Sequence, residues 1–361
     1  MDNRCVNAIR NEIRGLKSYT LDRPGNMIKL NQNESPFDLP QPVKLSIAEK
    51  LAAQPWNRYP ELGCENLCRA GARMYRCDPG EFYPGNGSNE ILDALFYALS
   101  SRGRSIVTVS PSYSMYPVLA QRMGVSLITL PLEQGFSFPV DRLMEWGRDD
   151  NTGLIMLCSP NNPTGNTISR NDLESVLQNS RCCVAVDEAY AEFSDQNFIP
   201  LIRKYDNLLI IRTASKALGS AGIRAGWILA NAPFISQFKK AFLPYHMDRC
   251  TSLILEELAA GSTAMETASY IAAQREKVYA GLESVPGIRP FESRANFILF
   301  EAQVDAEQLF TALKKKKVLV RNVSDYPGLG NHLRVTIGLE HENRQFLRAL
   351  ESCMSVLKGD V

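Results

Sequence analysis

The chain has 361 residues and is 45% hydrophobic, enough to bury a sizeable core in one large domain or two linked ones. Lys and Arg number 40 against 39 Asp and Glu, and a net charge of +1 argues against nucleic acid or an anionic membrane as a partner. No apolar run approaches the ~18 residues of a membrane span, and the charged start MDNRCVNAIRNEIRG has no apolar stretch of the secretory kind, so the cytoplasm is the expected address.

Nine cysteines are spaced irregularly and only three histidines accompany them. Cys64 and Cys68 can share a helix face, but no histidine lies nearby in sequence, so reduced thiols are expected and no metal site.

Taken in order, residues 1–42 hold polar turns and Pro-rich connections. A helical pattern over 88–99 follows the polar turn GNGSN. Short runs of Val, Ile and Leu then predict strands at 105–110, 125–132, 153–159, 183–189, 207–214 and 225–230. They alternate little between polar and apolar residues, as strands covered on both faces do. Helical patterns between most of them, such as 172–178, predict an α/β sandwich on a mainly parallel sheet. One long helix is expected from about 251 to 282, then a break at Pro286-Gly287. The remainder reads as strand 297–300, helix 305–315, strand 318–323, strand 332–338 and helix 342–357, a smaller α/β unit. The expected division is a large domain over 43–261, with 1–42 packing on 262–361 as a small domain built from both termini.

Five loops fall at the C-terminal ends of expected strands or just before helices, where open α/β sheets bind ligands. Gly85-Asn86-Gly87-Ser88-Asn89-Glu90 opens a helix whose free N–H groups suit a phosphate, although Ser88 or Asn89 capping the helix is the plainer alternative. SPSYSMYP (110–117) offers Tyr113 as a flat wall. SPNNPTG (159–165) presents Asn162 after a buried strand. VDEAYAEF (186–193) ends a strongly apolar strand in Asp187, a carboxylate that should have a cationic partner. Finally, RTASKALGSAGIRAG (212–226) sets Lys216 after the run Leu208-Leu209-Ile210-Ile211, in a turn of small residues that a solvated surface lysine does not need.

A phosphate cradle, an aromatic wall, a buried acid, a lysine and an arginine together suit pyridoxal 5'-phosphate. Lys216 is the residue expected to carry it as a Schiff base, with Asp187 against the pyridine nitrogen and Tyr190 and Asn162 bonding the ring O3′. Ser88, Asn89, Thr213, Ser215 and Arg224 are the expected phosphate ligands.

These motifs, with LNQNESP (30–36), NRYP (57–60), SRANFILF (293–300) and LRVTIG (333–338), resemble in order and spacing the fold-type I, class I/II aminotransferases. The resemblance runs from about Arg14 to the end of the chain and is most specific to the histidinol-phosphate aminotransferase branch. Lys216 follows Asp187 by 29 residues and precedes Arg224 by 8, which is the family spacing. The resemblance implies an enzyme of amino-acid, specifically histidine, biosynthesis. Its expected reaction is transamination between L-histidinol phosphate and 2-oxoglutarate, with Lys216, Asp187 and Tyr190 in the catalytic set. Arg334 would grip the substrate anion and Arg321 its phosphate, with Tyr19, Tyr245 and Asn33 lining the pocket. Tyr59 matches a tyrosine that reaches the neighbouring subunit's cofactor, which implies a homodimer with shared sites.

Two positions depart from the pattern. Ala214 stands where an aromatic residue or leucine is usual, and PYHMDRCT (244–251) brings His246, Asp248 and Arg249 toward the expected pocket mouth. The three either face solvent or pair with one another, or else retune the pocket. The alternatives are therefore an aminotransferase for aromatic or other amino acids, or a pyridoxal-phosphate decarboxylase or cyclase of a biosynthetic side branch. A regulatory binding module is the reading from another class, and the balanced charge and short lead before LNQNESP speak against it.

Overall fold

The computed structural model describes residues 4–18, 20, 24–100, 103–259 and 263–359. Its strands are β1 (Ile28–Lys29), β2 (Phe82–Gly85), β3 (Ser105–Ser110), β4 (Leu127–Pro131), β5 (Thr152–Cys158), β6 (Cys183–Asp187) and β7 (Leu208–Thr213). They continue with β8 (Gly226–Leu229), β9 (Ile288–Pro290), β10 (Phe297–Ala302), β11 (Val318–Leu319), β12 (Arg321–Asn322) and β13 (His332–Thr336).

Among the described residues, seven strands form the large sheet in the order β2–β8–β7–β6–β5–β3–β4. From β7 to β4 every pairing is parallel, while β8 is antiparallel to both its neighbours. All six expected strands of this sheet form. Every residue of β5 and β7 is buried, the apolar runs Leu154–Leu157 and Leu208–Ile211 together with the polar residues Thr152, Arg212 and Thr213. Each such Leu or Ile is worth about 1.5–3 kcal/mol on burial, so the sheet centre is rigid. The strand missed in the sequence is β2, Phe-Tyr-Pro-Gly, whose proline and glycine read as a turn. It survives at an edge of the sheet, where a missing N–H is tolerated.

The chain passes outward from β3 to β4 and then returns to β5 on the other side of β3. This reversal opens a crevice at the carboxyl ends of β3 and β5, the usual ligand position in such sheets. Ser112 Oγ bridges it by donating to Asn161 Oδ1 at 2.8 Å.

A second, antiparallel sheet has the order β12–β13–β10–β9, and β1 pairs with β11 in a parallel ribbon beside it. The expected strand 318–323 is thus divided between two sheets, with buried Val320 as the step. Across the expected helix 251–282, the described residues form helices over Arg249–Ala259 and Thr263–Glu283. Ala260-Gly261-Ser262, between them, lie outside the described residues.

Residues 28–33 do join the small sheet, since β1 pairs with β11 and Leu30 enters its core. The earlier segment differs from expectation. The short Asn11–Arg14 helix lies on the Met115–Met123 helix of the large sheet, where Arg10 donates to the Met123 carbonyl and Gln121 to that of Glu12, both at 3.3 Å. Polar side chains on both partners make that contact, so apolar periodicity carries no sign of it. Among the described residues no helix is long and apolar enough to cross a membrane.

Candidate active site

A cleft of about 420 Å³ opens between the two sheets at the crevice beside β3 and β5. Thirteen residues singled out in the sequence line it: Asn33, Ser88, Asn89, Tyr113, Asn162, Asp187, Tyr190, Thr213, Ser215, Lys216, Arg224, Arg321 and Arg334.

The phosphate end is built on the Ser88–Leu99 helix. Its N-cap is Gly87, at φ 80°, and no side chain caps the helix, so neither Ser88 nor Asn89 plays the capping role. The first-turn N–H groups and the positive end of the helix dipole are left for an anion. A Cβ on Gly87 would stand 2.6 Å from Arg224 Nη2, so the loop and that guanidinium share one small space. Arg224 itself is held at φ 57°, a strained setting for a side chain of its size. Across the cradle, the Ser215 N–H donates to Thr213 Oγ1 at 3.1 Å, which orients both hydroxyls.

Asp187 closes β6 and is only 3% exposed. Desolvation by burial pushes its carboxyl up to about 6, against the pull of donors from the Ala189 N–H and the Tyr116 hydroxyl, each at 3.1 Å. The cationic partner expected for it is not a hydrogen-bonded side chain of this chain, among the described residues. The neighbouring Glu188 has one instead: buried Arg212 binds Glu188 at 2.6 Å and Glu192 at 2.7 Å. Asp187 therefore offers its charge to whatever occupies the cleft.

Lys216 follows β7 and is half-buried, with Nζ donating to the Gln32 carbonyl at 3.1 Å. Burial, and then the Arg334 charge, bring its pKa down to about 8. Tyr190 receives Asn33 Nδ2 at 3.0 Å and Asn162 Nδ2 at 3.4 Å on its hydroxyl, and burial holds the phenol above its ordinary range. Asn33 sits at φ 54° and is fixed by Thr336 on both its N–H and its side chain. The small sheet is in this way bonded to the floor of the cleft.

Arg334 donates to Asn162 Oδ1 and, at 2.9 Å, to the Asn31 carbonyl. Arg321 is its direct cross-strand partner in the β12–β13 register, so both guanidiniums leave one face of the sheet.

Of the remaining expected residues, Tyr59 and Tyr245 do not line the cleft. Tyr19 lies outside the described residues. Tyr245, at φ 60°, stacks on Tyr59 with ring centroids 4.6 Å apart; the two are 41% and 77% exposed. The departing trio is also elsewhere. His246 bonds the Pro84 carbonyl and stacks on Tyr83, and Asp248 accepts the Thr251 N–H at the head of its helix. Arg249 donates to Gln54 and to the Tyr59 carbonyl. They neither pair with one another nor line the cleft. Ala214 is fully buried beneath the lysine loop.

The sequence reading missed Tyr116, Cys158 and Tyr326, and the backbone of Asn31 and Gln32. Tyr116 lies three residues beyond Tyr113 in the same motif, the helical spacing that could have flagged it.

A crevice at the strand reversal, holding a lysine, an acid with no hydrogen-bonded cation among the described residues and an open helix start, suits an α/β enzyme built on a bound cofactor. Residues 25–350 match the family model described as aminotransferase class I and II. The chain belongs to that family and is an enzyme of the aminotransferase type. It is 37% identical over 329 residues to a histidinol-phosphate aminotransferase of Chlorobium luteolum, covering 91% of this chain and 92% of the relative. It is 32% identical over 349 residues to the enzyme of that name from Caldanaerobacter subterraneus subsp. tengcongensis, covering 97% and 99%. Among solved structures it resembles the histidinol-phosphate aminotransferase from Sinorhizobium meliloti in complex with pyridoxal-5'-phosphate. The TM-score is 0.85 at 22% identity, with 97% and 98% of the two chains covered, a likeness of fold.

Proposed function

We propose that the protein transfers the amino group of L-histidinol phosphate to 2-oxoglutarate, using pyridoxal 5'-phosphate held in this cleft. The observation that carries the substrate is the in-register pair Arg321 and Arg334, lining the same cleft as Lys216. Two cations directly opposite each other repel unless an anion lies between them. A phosphate on the substrate is that anion, and the relatives of 32% and 37% identity bear the matching name.

The residues present fit the cofactor. Gly87, at φ 80°, brings the helix start against the Arg224 guanidinium, and buried Asp187 has no hydrogen-bonded cation among the described residues, a partner that a protonated ring nitrogen would supply. Bound there, the cofactor draws electrons from the carbon that bears the substrate amine. Ser88, Asn89, Thr213, Ser215 and Arg224 hold its phosphate. Tyr113 is its wall, while Tyr190 and Asn162 hold the ring oxygen.

Lys216 Nζ is the base that removes the proton from the amine-bearing carbon and later returns one. A pKa of about 8 leaves a useful neutral fraction near neutral pH, and positioned proton transfer contributes roughly 10²–10⁴-fold. Asp187 keeps the ring nitrogen charged, and Arg334 with Arg321 sets the substrate's pose.

The division at 43 and 261, the homodimer with Tyr59 serving the neighbouring site and the cytoplasmic address belong to the same proposal. The exposed Tyr59–Tyr245 stack supports the dimer, since large aromatic groups at 77% and 41% exposure suit an interface. The test is a spectroscopic screen of holoenzyme against amines. Histidinol phosphate should convert the cofactor to its amine form at lower concentration than phenylalanine or histidinol; a preference for phenylalanine would overturn the substrate.

A further inference from the structure

We propose that Tyr116 is a positioning residue for the cofactor: its buried hydroxyl, donated to Asp187 Oδ2 at 3.1 Å, orients that carboxylate and keeps it ionised toward the ring nitrogen. The inference rests on the reading that Asp187 faces the nitrogen of pyridoxal phosphate.

Asp187 has two donors from this chain among the described residues. The Ala189 N–H serves Oδ1 and is fixed by the backbone, while Tyr116 serves Oδ2 and is the one side-chain donor. The other titratable groups around the carboxylate differ in kind. Cys158 stands beside it in the β5–β6 register, Tyr190 accepts from Asn33 and Asn162 on its hydroxyl oxygen, and Lys216 is bonded to the Gln32 carbonyl.

The chemistry favours a phenol at this position. A lysine or arginine would pair with Asp187 and compete with the ring nitrogen for its charge. A neutral donor orients the carboxylate and favours its ionised form, yet leaves the negative charge unspent. Burial raises the Tyr116 phenol far above its ordinary range, so it stays protonated and remains a donor at any working pH.

The ring is held independently of its hydroxyl. Tyr116 is fully buried, stacked on Phe96 at 6.3 Å and edge-on to Tyr113 at 5.5 Å. Phenylalanine therefore fits the same space and removes one bond only.

The test uses holoenzyme loaded with cofactor labelled with ¹⁵N in the ring, in wild type, Tyr116→Phe, Asp187→Asn and a chain carrying an ortho-fluorinated tyrosine at 116. In Tyr116→Phe the more basic carboxylate should draw the shared proton, so the ring ¹⁵N resonance moves toward its unprotonated position. The acid limb of kcat should rise by roughly one pH unit, the equivalent of one hydrogen bond to a charged group. The fluorinated ring is a stronger donor and should move both readings the other way; it keeps the hydroxyl and therefore serves even if Tyr116→Phe does not fold. A merely structural tyrosine would not give shifts of opposite sign. If Asp187→Asn displaces the resonance while neither change at 116 moves it or the acid limb, the role of Tyr116 is refuted and the cofactor reading stands. If Asp187→Asn does not displace it either, the placement of Asp187 at the ring nitrogen is itself wrong.

Discussion

Replacing Arg321 by alanine should separate phosphate recognition from the rest of the chemistry. Arg321 faces Arg334 in register, and the two partners are not equivalent. Arg334 is buried, over the face of Phe297, with donors already committed to Asn162 and to the Asn31 carbonyl. Arg321 is half-buried and, among the described residues, has no acid or carbonyl that accepts from it. Its donors are therefore available to a ligand. A charge-assisted bond is worth about 1.5–3 kcal/mol, and partial solvent access argues for counting one rather than a full bidentate pair. Arg321→Ala should thus lower kcat/KM for histidinol phosphate by roughly 10- to 100-fold. It should not weaken the fold, because the change relieves a cross-strand repulsion of about 0.2–1 kcal/mol. The assay is paired: wild type and variant, each with histidinol phosphate and with histidinol, the same alcohol without the phosphate. The variant should lose the preference for the phosphorylated substrate and keep its rate on the other. An equal fall on both substrates would show that Arg321 holds the cleft together and does not read the phosphate, and the reasoning from register would fail.

Lys216→Ala should abolish turnover while cofactor remains bound without covalent attachment; borohydride trapping followed by peptide mapping of wild type checks it, and a label on any other lysine sinks the assignment. Asp187 makes the cofactor-free protein depend on pH. Its folded pKa of about 6 exceeds its ordinary 3.8, so the folded state binds the extra proton and that stabilising contribution fades as pH rises from about 4 through 6. Asp187→Asn removes this dependence, so denaturant titrations of the apo forms should show wild type losing ground to the variant across that window; parallel curves would contradict the burial argument. For the dimer, an inactive Lys216→Ala chain mixed with a Tyr59→Ala chain should recover part of the activity in heterodimers, and a clean monomer in sedimentation would refute shared sites.

Much of this was legible in the sequence because the large sheet is covered on both faces. Runs such as Leu208–Ile211 have no other stable use, and each leads to a residue the cleft needs: Thr213 at the end of β7, Asp187 at the end of β6, Asn162 after β5. What stayed hidden depends on tertiary partners. β2 looks like a turn until an edge position excuses its proline. The segment 318–323 looks like one strand until β1 and β13 each claim a half. Tyr245 has an ordinary sequence context, and neither its φ of 60° nor its stack on Tyr59 has a local sequence signal. Tyr116 was passed over because a tyrosine at a helix start reads as core. It is core by burial and active-site by its hydroxyl at once.

The charges of the cleft imply a last coupling. Among the described residues, Lys216, Arg224, Arg321 and Arg334 line it against only Asp187 and Glu34, although the whole chain is nearly neutral. Ligands must bring the missing negative charge. After burial, Arg334 is the largest influence depressing Lys216, so the arginine proposed to grip the substrate also weakens the base that must act on it. An anion on Arg334 offsets that charge and lets the Lys216 pKa climb back from about 8. By linkage, occupation of the anion site and protonation of Lys216 favour each other, so the lysine gains basicity when a substrate is in place. A short dicarboxylate that does not react should therefore slow amine-directed labelling of Lys216 in the apo protein at fixed pH near 8, by moving lysine into its protonated form. In Arg334→Gln the lysine should already be more basic, and the dicarboxylate should change its labelling little. If the anion slows wild type and the variant alike, it is shielding the lysine sterically, and the electrostatic link between binding and base strength is absent.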